Sequence, residues 1–311
     1  MDKLYFGNDG LKDVLDKIEL EGEDIRYINE KSLEEIDAVI NLAGLSNDPT
    51  AEYNPEANTA INTGGAVHLA KLCKKVGIKR YLFGSSCSIY YSMTPDNILR
   101  DEEYPVNPTA PYSYSKHMAE KGILELVNSD FCPIIFRKGT VFGQSPRMRY
   151  DLVINTFTKD AFAKRRLIVH AGGRMWRPML NINDAVRVYI AGLKIDEDKV
   201  RGQIFNVLND NYKVIKLAYE VRRTIELEKG ARIDIEVQEI GPTRSYRVDN
   251  SKFERVFKIK LNPEVHTSVS EMWDKLESGI DYTAPIYYNI CWLELLSDME
   301  KRLKVMNYKV F

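Results

Sequence analysis

Tyr112 and Lys116, which lie four residues apart in Tyr-Ser-Tyr-Ser-Lys, form the spacing with the clearest chemistry in this chain. On a helix both side chains share one face, because residues i and i+4 stack along the 3.6-residue turn. An ammonium beside a phenol favours the phenolate, so we predict a Tyr112 pKa below the ordinary value of about 10. Ser86, about 26 positions upstream at a predicted strand end, can hold the substrate oxygen that gains or loses the proton. This combination predicts an acid/base unit for hydride transfer with a nicotinamide.

The composition excludes several classes of partner. The chain has 311 residues, with 44 Lys plus Arg against 45 Asp plus Glu and a formal net charge of −1. This balance gives no reason to expect binding to nucleic acid or to an anionic membrane. No run reaches the roughly 20 apolar residues of a membrane span, and residues 1–24 are charged rather than signal-like. We therefore expect a cytoplasmic protein that does not enter a membrane.

The cysteines and histidines do not suggest a metal site. The four histidines occur singly, and the cysteines lack the spacing typical of metal ligands. We expect no metal and reduced thiols at the four cysteines, namely Cys73, Cys87, Cys132 and Cys291.

Strand-like and helix-like segments alternate between residues 25 and 137, which is the pattern of a parallel sheet covered by helices. Helices are predicted at 55–76 and 112–127. Strands are predicted at 25–28, 38–43, 80–83 and 133–136. We assign residues 1–150 to a main α/β domain on this pattern.

The pattern after residue 140 is less regular and predicts a smaller, mixed α/β substrate lobe. We assign 151–177 and 209–285 to this lobe. Residues 178–208 begin with a predicted strand at 178–182 and return to the main sheet. The tail 286–311 has apolar residues at helical spacing, which indicates packing against the body or a partner chain.

Several motifs, in order along the chain, resemble the extended short-chain dehydrogenases/reductases, specifically the nucleotide-sugar epimerase/dehydratase group. Each motif alone is a weak signal, but their shared order and spacing from about residue 2 to 280 are specific. They are Asp37-Ala-Val-Ile-Asn-Leu-Ala-Gly44, Asn62 in a helix, Ser86, the Tyr112–Lys116 pair, Phe136-Arg-Lys-Gly-Thr-Val-Phe-Gly143, Arg177 in Trp-Arg-Pro-Met-Leu-Asn, and Arg244 in Gly-Pro-Thr-Arg-Ser-Tyr-Arg.

The resemblance implies a Rossmann-like, doubly wound parallel sheet that binds NAD. Ser86, Tyr112, Lys116 and Asn62 take the catalytic positions, with Asn62 supporting the site. The positions expected to touch the cofactor are Asp2 at the adenosine ribose, Asp24 and Ile25 at the adenine, Leu42, Ala43 and Gly44 on the loop beside it, and Tyr112 and Lys116.

The resemblance also implies the substrate and an assembly. A nucleotide-diphosphate sugar is expected to contact Ser86 and Thr140, while Arg177 and Arg244 grip its diphosphate. Guanidinium groups suit phosphate oxygens because two parallel N–H bonds form at once. In relatives the helices matching 55–76 and 111–127 pair across a homodimer, so we expect a homodimer here.

One family feature has no counterpart in these 311 residues. The family's first strand carries a glycine-rich turn that holds the pyrophosphate, and this chain resembles the family only from just after the second strand. Gly7 and Gly10 do not substitute, since no strand precedes them. Two explanations stay open: a truncated reading frame, or a shortened protein that has lost strong dinucleotide binding. Under either explanation, the enzymatic activity of these 311 residues is in doubt.

The residues after Ser86 narrow the reaction. Dehydratases of this group carry Asp and Glu there as acid and base, whereas this chain has Cys87 and Ser88. This difference disfavours dehydration and leaves epimerisation or simple oxidoreduction as the predicted function. The alternatives are a cofactor-less relative that serves as a binding or scaffold protein, and a reductase of a non-nucleotide substrate, against which Arg177 and Arg244 argue.

Overall fold

The structure is a computed structural model that describes residues 1–91, 97–241 and 244–305. Residues 306–311 of the predicted C-terminal tail lie outside the described residues. Within the described ranges, no helix is long and apolar enough to cross a membrane.

The main sheet has four parallel strands in the order β1-β2-β4-β8. Its apolar strands are covered by helices on both faces, which confirms the predicted Rossmann-like α/β fold. Across β2 and β4, Gly84 pairs with Phe136 and Ser86 pairs with Lys138. The strands of the described residues are β1 (Ala38–Asn41), β2 (Arg80–Ser86), β3 (Leu99–Arg100), β4 (Cys132–Lys138), β5 (Thr140–Phe142), β6 (Arg166–Val169), β7 (Trp176–Asn181), β8 (Gln203–Val207), β9 (Asp210–Lys213), β10 (Asp234–Val237) and β11 (Arg247–Val248).

The helices alternate with the strands as the sequence pattern predicts. The predicted helix over 55–76 is divided, because a π-helical stretch at Ala60–Gly65 joins α2 to α3. The α-helices are α1 (Asp48–Tyr53), α2 (Pro55–Thr59), α3 (Ala66–Val76), α4 (Pro111–Leu124), α5 (Val153–Lys164), α6 (Ile182–Lys194), α7 (Val214–Lys229), α8 (Ser251–Phe257), α9 (Val265–Glu277) and α10 (Asn289–Lys304). Short 3-10 helices lie at Asp9–Lys17, Glu30–Leu33, Cys87–Tyr90, Ala171–Gly173, Glu197–Lys199 and Pro285–Tyr287.

Alternate residues of β2 supply two different cores, as expected for a strand that is buried on both faces. Tyr81 and Phe83 pack with α3 and α4, whereas Leu82 packs with Phe136 of β4 and Val188 of α6. A separate cluster around Trp273 joins α5, α7 and α9. The clusters cross the proposed boundaries of the main domain and the substrate lobe, since Phe253 and Phe257 of α8 pack on the main sheet.

One predicted element is wrong. Residues 25–28 form a turn rather than a strand, because the Asp24 carboxylate accepts bonds from the Arg26 backbone N–H at 3.0 Å and from its guanidinium. Such local side-chain bonds compete with a strand ladder. The strand predicted at 178–182 is present as β7, which pairs with β5 and β9 in a separate sheet. The chain after it returns to the main sheet, where β8 pairs with β4.

The predicted helical tail is α10, which packs against the N-terminal segment. The Trp292 indole N–H donates to the carbonyl oxygen of Tyr5 at 2.5 Å, and Leu293 is buried. Asn289 at the start of α10 is also buried, at 3% exposure.

Candidate functional site

The predicted catalytic side chains meet at the carboxyl edge of the main sheet, where ligands bind in open α/β sheets. Ser86 is the last residue of β2, and Tyr112 lies in the first turn of α4. Pro111 starts this helix, at a position where its missing N–H costs nothing. Ser86 and Tyr112 line the same cavity, and the Ser86 hydroxyl acts to lower the pKa of Tyr112.

Lys116 extends from the next turn of α4 into the same edge. Its Nζ donates to the carbonyl oxygen of Gly84 at 3.0 Å and lies 4.9 Å from the centre of the Phe83 ring. Only 4% of Lys116 is exposed. Burial and, to a smaller extent, the nearby Lys138 ammonium lower the pKa of Lys116 to about 7, against the opposing effect of Glu120.

The predicted low pKa of Tyr112 is wrong for the protein alone. Burial raises the pKa of Tyr112 to about 12 and outweighs the opposing effects of the Ser86 hydroxyl and the Arg149 charge. Lys116 does not offset the effect of burial on Tyr112: its amine is bonded to the Gly84 carbonyl, and the lowered pKa of Lys116 leaves the amine partly neutral near pH 7.

Asn62 braces the site from the π-helical stretch between α2 and α3. Its Oδ1 accepts the Leu45 backbone N–H at 2.8 Å, and its Nδ2 donates to the Leu45 carbonyl at 2.9 Å. The same Nδ2 donates to Asn58 at 2.8 Å and to the Ser115 hydroxyl at 3.2 Å. π-Helical turns are frequent at functional sites. Asn62 thereby ties the loop after β1 to α4.

Six of the eight residues predicted to touch the cofactor line one cavity of about 510 Å³ beside β1, whereas Tyr112 lines a second cavity and Lys116 lines neither of the two. The six residues of the first cavity are Asp2, Asp24, Ile25, Leu42, Ala43 and Gly44. Two of the carboxylates already have partners: Asp2 accepts the Leu4 backbone N–H at 2.6 Å, and Asp24 is paired with Arg26. Hydrogen bonds from Arg26 hold the pKa of Asp24 below its ordinary value, against the effect of burial.

The backbone at Gly44 fits a dinucleotide that must pass close to it. Gly44 has a φ of +150°, and a Cβ there would lie 2.5 Å from Asn62 Oδ1 and 3.5 Å from Lys116 Nζ. The bare backbone keeps the passage between the cofactor cavity and Lys116 open. The residues present fit the nicotinamide end of NAD, which Tyr112 and Lys116 would hold.

A second cavity of about 280 Å³ adjoins the catalytic residues and contains the predicted substrate contacts. Ser86, Thr140, Arg177 and Arg244 all line it. Arg177 donates to the carbonyl oxygens of Trp176 and Arg244, and burial lowers its pKa. Arg244 forms an ion pair with Asp48 and a second with Glu52 at 3.4 Å.

Sequence reasoning assigned no role to three further residues around the site, namely Asp48, Glu120 and Arg137. Lys138 lines the substrate cavity, and Asp48 pairs with Arg244. Glu120 accepts the Ser85 hydroxyl at 2.5 Å and the Arg137 guanidinium at 2.7 Å in a buried network. The position of Arg137 and Lys138, two charged residues at the end of an apolar strand, is a signal that the sequence contains. No local pattern in the sequence points to Glu120. No group of three or more His, Cys, Asp or Glu in the described part of the chain is arranged to hold a metal ion.

Comparison with known proteins identifies the fold and its relatives. The model of the "NAD dependent epimerase/dehydratase family" matches residues 11–207, which is more than half of the chain. A putative UDP-glucose 4-epimerase of Methanocaldococcus jannaschii is 26% identical over 200 residues, covering 62% of this chain and 64% of the relative. UDP-glucuronic acid decarboxylase 1 of Xenopus tropicalis is 27% identical over 163 residues, covering 50% of this chain and 38% of the relative. The chain thus spans less than two thirds of the length of these curated relatives.

Solved structures share the fold. UDP-glucuronic acid 4-epimerase from Bacillus cereus, in complex with UDP-glucuronic acid and NAD, superposes with a TM-score of 0.74 at 19% identity. The match covers 88% of this chain and 86% of that one. MoeE5 in complex with UDP-glucose and NAD gives a TM-score of 0.71 at 17% identity, covering 88% and 97%.

Proposed function

Because the chain belongs to the NAD dependent epimerase/dehydratase family, we propose that it is an NAD-dependent nucleotide-sugar epimerase or oxidoreductase. The observation that carries the proposal is that Ser86 and Tyr112 line one cavity, with the buried Lys116 one helical turn from Tyr112. These groups lie at the carboxyl edge of the sheet, between a cavity suited to a dinucleotide and a cavity lined by arginines.

The residues divide the work of the reaction by position. NAD, when bound, supplies the acceptor for a hydride from the sugar carbon. The Tyr112 phenolic oxygen takes the proton of the sugar hydroxyl as that hydroxyl becomes a carbonyl. Ser86 hydrogen-bonds the same oxygen, and Lys116 holds the tyrosine in a positive environment. Asn62 keeps the loop at Gly44 in place through its two bonds to Leu45.

The positive environment is needed because Tyr112 resists ionisation. With a pKa of about 12, the phenol keeps its proton at neutral pH. Positively charged side chains close to Tyr112 are therefore needed to stabilise the phenolate during the reaction. Arg149, which lines the same cavity, is a cation whose charge lowers the pKa of Tyr112. Lys116, one helical turn along α4, stabilises the phenolate more when it is protonated, so activity through Tyr112 depends on the charge of Lys116.

The surroundings of Ser86 support epimerisation or oxidoreduction over dehydration. Cys87 is completely buried, and its thiol donates to the Arg137 carbonyl at 3.0 Å. Burial raises the pKa of this thiol, so it is not an acid or base for water elimination near neutral pH. Ser88 is a hydroxyl without an ionisable group in that range.

A nucleotide-diphosphate sugar is the substrate class that the arginines favour. Arg177 and Arg244 line the same cavity as Ser86 and Thr140, so a diphosphate bound there places an attached sugar near Tyr112. Arg244 would exchange its ion pair with Asp48 for phosphate oxygens. Relatives and neighbours are named for UDP-glucose and UDP-glucuronic acid, which are therefore the first sugars to test.

We further propose a cytoplasmic homodimer in which the helices at 55–76 and 111–127 form the contact. Tyr114 on α4 is 49% exposed, an aromatic side chain available to such an interface. Sedimentation velocity measures the mass, and a monomer at every concentration would contradict this assembly.

Two measurements test the function. Calorimetry with NAD and UDP-sugars comes first, because a scaffold protein without a cofactor shows no NAD binding. Turnover is then followed by NADH absorbance and by sugar isomer analysis. Tyr112→Phe is expected to lose activity by about 10²–10⁴-fold, as for removal of an acid/base, while it still binds the sugar nucleotide. Tyr114→Phe is the matched control and should stay active; retained turnover in Tyr112→Phe removes this residue from the mechanism.

A further inference from the structure

Lys138 is a half-buried cation in the cavity that contains Ser86 and Tyr112, and it has no anionic partner within the described part of the chain. It ends β4 beside Ser86 and lines the cavity that contains Tyr112 and Thr140. Its Nζ lies 5.6 Å from the centre of the Tyr189 ring, which is a cation–π distance. Within the described ranges, Lys138 makes no hydrogen bond and no ion pair.

Gly84 shows where the Lys138 ammonium lies. A Cβ added at Gly84 would be 3.1 Å from Lys138 Nζ and 2.9 Å from the Tyr189 hydroxyl. The carbonyl oxygen of the same Gly84 accepts the bond from Lys116. Lys138 and Lys116 therefore approach one residue of β2, next to the reacting groups.

The other cations of this cavity already have partners. Arg149 is paired with Asp151 at 2.9 Å, Arg244 is paired with Asp48, and Arg177 donates to two carbonyl oxygens. An unpaired charge withdrawn from water is costly, and such charges concentrate at functional sites. Lys138 is thus the cation of this cavity that is left for an anion of the ligand.

A hydroxyl group in the same cavity indicates which kind of anion Lys138 binds. Ser88 lines the same cavity, and its buried Oγ has no hydrogen-bond partner within the described ranges. An ammonium together with a free hydroxyl donor suits a carboxylate, whereas a neutral sugar hydroxyl needs no cation. Under the proposed function, Arg177 and Arg244 exchange their present partners for the diphosphate, so the anion at Lys138 is a second one, at the sugar end.

We propose that Lys138 binds a carboxylate on the sugar, so that the substrate is a nucleotide-diphosphate sugar acid rather than a neutral hexose derivative. The inference rests on the proposed function, because it takes the diphosphate to lie at Arg177 and Arg244. It assigns Lys138 to substrate specificity rather than to the hydride transfer itself.

The experiment compares UDP-glucuronic acid with UDP-glucose by calorimetry in the presence of excess NAD. These ligands differ only at the sugar carbon that carries either a carboxylate or a hydroxymethyl group. The unmodified chain is expected to bind the acid at least about tenfold more tightly, which corresponds to about 1.4 kcal/mol. Lys138→Met should abolish this preference and leave the affinity for UDP-glucose within about threefold, a difference well below that tenfold step.

Two control variants keep the result interpretable. Lys138→Arg retains the charge and should retain the preference. Lys213→Met removes a lysine that also lies over an aromatic ring, Trp176 at 5.5 Å, but lines neither cavity described above, and it should change nothing. Equal binding of both sugars to the unmodified chain, or equal weakening of both by Lys138→Met, overturns the inference. Failure of both sugars to bind overturns the proposed function and the inference with it.

Discussion

Lys116 is bonded through Nζ to the Gly84 carbonyl oxygen at 3.0 Å, and this contact fixes α4 against the carboxyl end of β2. The contact holds the amine in a buried position beside Tyr112, where a second lysine lies close. The buried Lys116 ammonium, which serves the proposed chemistry, therefore lowers the free energy of unfolding of the protein without its ligands.

Lys116→Met should raise the stability below neutral pH. Since the pKa of Lys116 falls to about 7 in the folded chain from 10.5, the unfolded state binds more protons between these values. Between about pH 7 and pH 10, the unmodified chain therefore gains stability relative to the variant. Its free energy of unfolding rises by up to about 1.4 kcal/mol per pH unit. The advantage of the variant is constant below pH 7 and shrinks above it. Urea unfolding between pH 6 and pH 9 measures this difference.

Lys121→Met is the control for this prediction, because Lys121 lies exposed on the same helix. Its stability curve should run parallel to that of the unmodified chain. If the Lys116→Met curve is also parallel, Lys116 keeps an ordinary pKa in the folded protein and the explanation for Tyr112 fails.

Gly44→Ala should destabilise the chain and weaken NAD binding. The φ of +150° is unfavourable for alanine, and the new Cβ would lie 2.5 Å from Asn62 Oδ1. We expect a loss of about 1–3 kcal/mol in the free energy of unfolding. Gly64→Ala is the matched control, because its Cβ would meet only the Thr59 carbonyl at 3.9 Å in a helical segment. Equal stability of the two variants by chemical denaturation would show that the loop at Gly44 adapts.

The sequence predicted those parts of the molecule that depend on local pattern. Apolar runs fixed β1, β2 and β4, and the spacing of Tyr112 and Lys116 placed both in one helix. The turn at 25–28 was missed because its apolar residues suit a strand, while the Asp24 carboxylate favours a turn.

Other features depend on contacts between distant segments and have no local signature. The separate sheet of β7 requires β9 as its partner, and the raised pKa of Tyr112 follows from burial. The unpaired state of Lys138 depends on what the other cavity residues bind. Sequence spacing therefore predicts which groups meet, whereas their protonation follows from the folded surroundings.

Glu120→Gln should destabilise the chain strongly. Glu120 is 1% exposed and bonds the Arg137 guanidinium at 2.7 Å, so the variant leaves a buried cation without its counter-charge. Breaking a buried pair by removing one partner costs about 3–5 kcal/mol. Glu125→Gln, at the exposed end of the same helix, should change the free energy of unfolding little.

Glu120 should also determine how the stability of the chain responds to acid. Burial raises the pKa of Glu120, but the nearby His117 side chain, 3.9 Å away, and the charge and hydrogen bonds of Arg137 outweigh it and hold the pKa below its ordinary value. The stabilisation is therefore present above about pH 4.3, the ordinary glutamate value, and is lost as pH falls through the lower folded value. The Glu120→Gln curve should lack this acid-dependent loss. An unchanged acid midpoint in urea titrations would contradict the assignment.

Asn289→Ala should weaken both the fold and NAD binding, because Asn289 joins α10 to the cofactor cavity. Its Oδ1 accepts the Arg147 guanidinium at 2.6 Å, and its Nδ2 donates to the Ser46 hydroxyl at 2.9 Å. Alanine leaves both groups without this partner at a buried position, which costs about 1–3 kcal/mol. Ser46 follows the loop held by Asn62, so its release should also lower the affinity for NAD.

Cys291→Ala on the same helix is the control, since Cys291 is exposed and its thiol forms no disulfide. Guanidinium unfolding gives the stability and calorimetry gives the NAD affinity of each variant. Loss of stability with unchanged NAD affinity would mean that α10 supports the fold alone. Loss of both, in Asn289→Ala and not in Cys291→Ala, would show that the C-terminal helix holds one wall of the cofactor cavity in place.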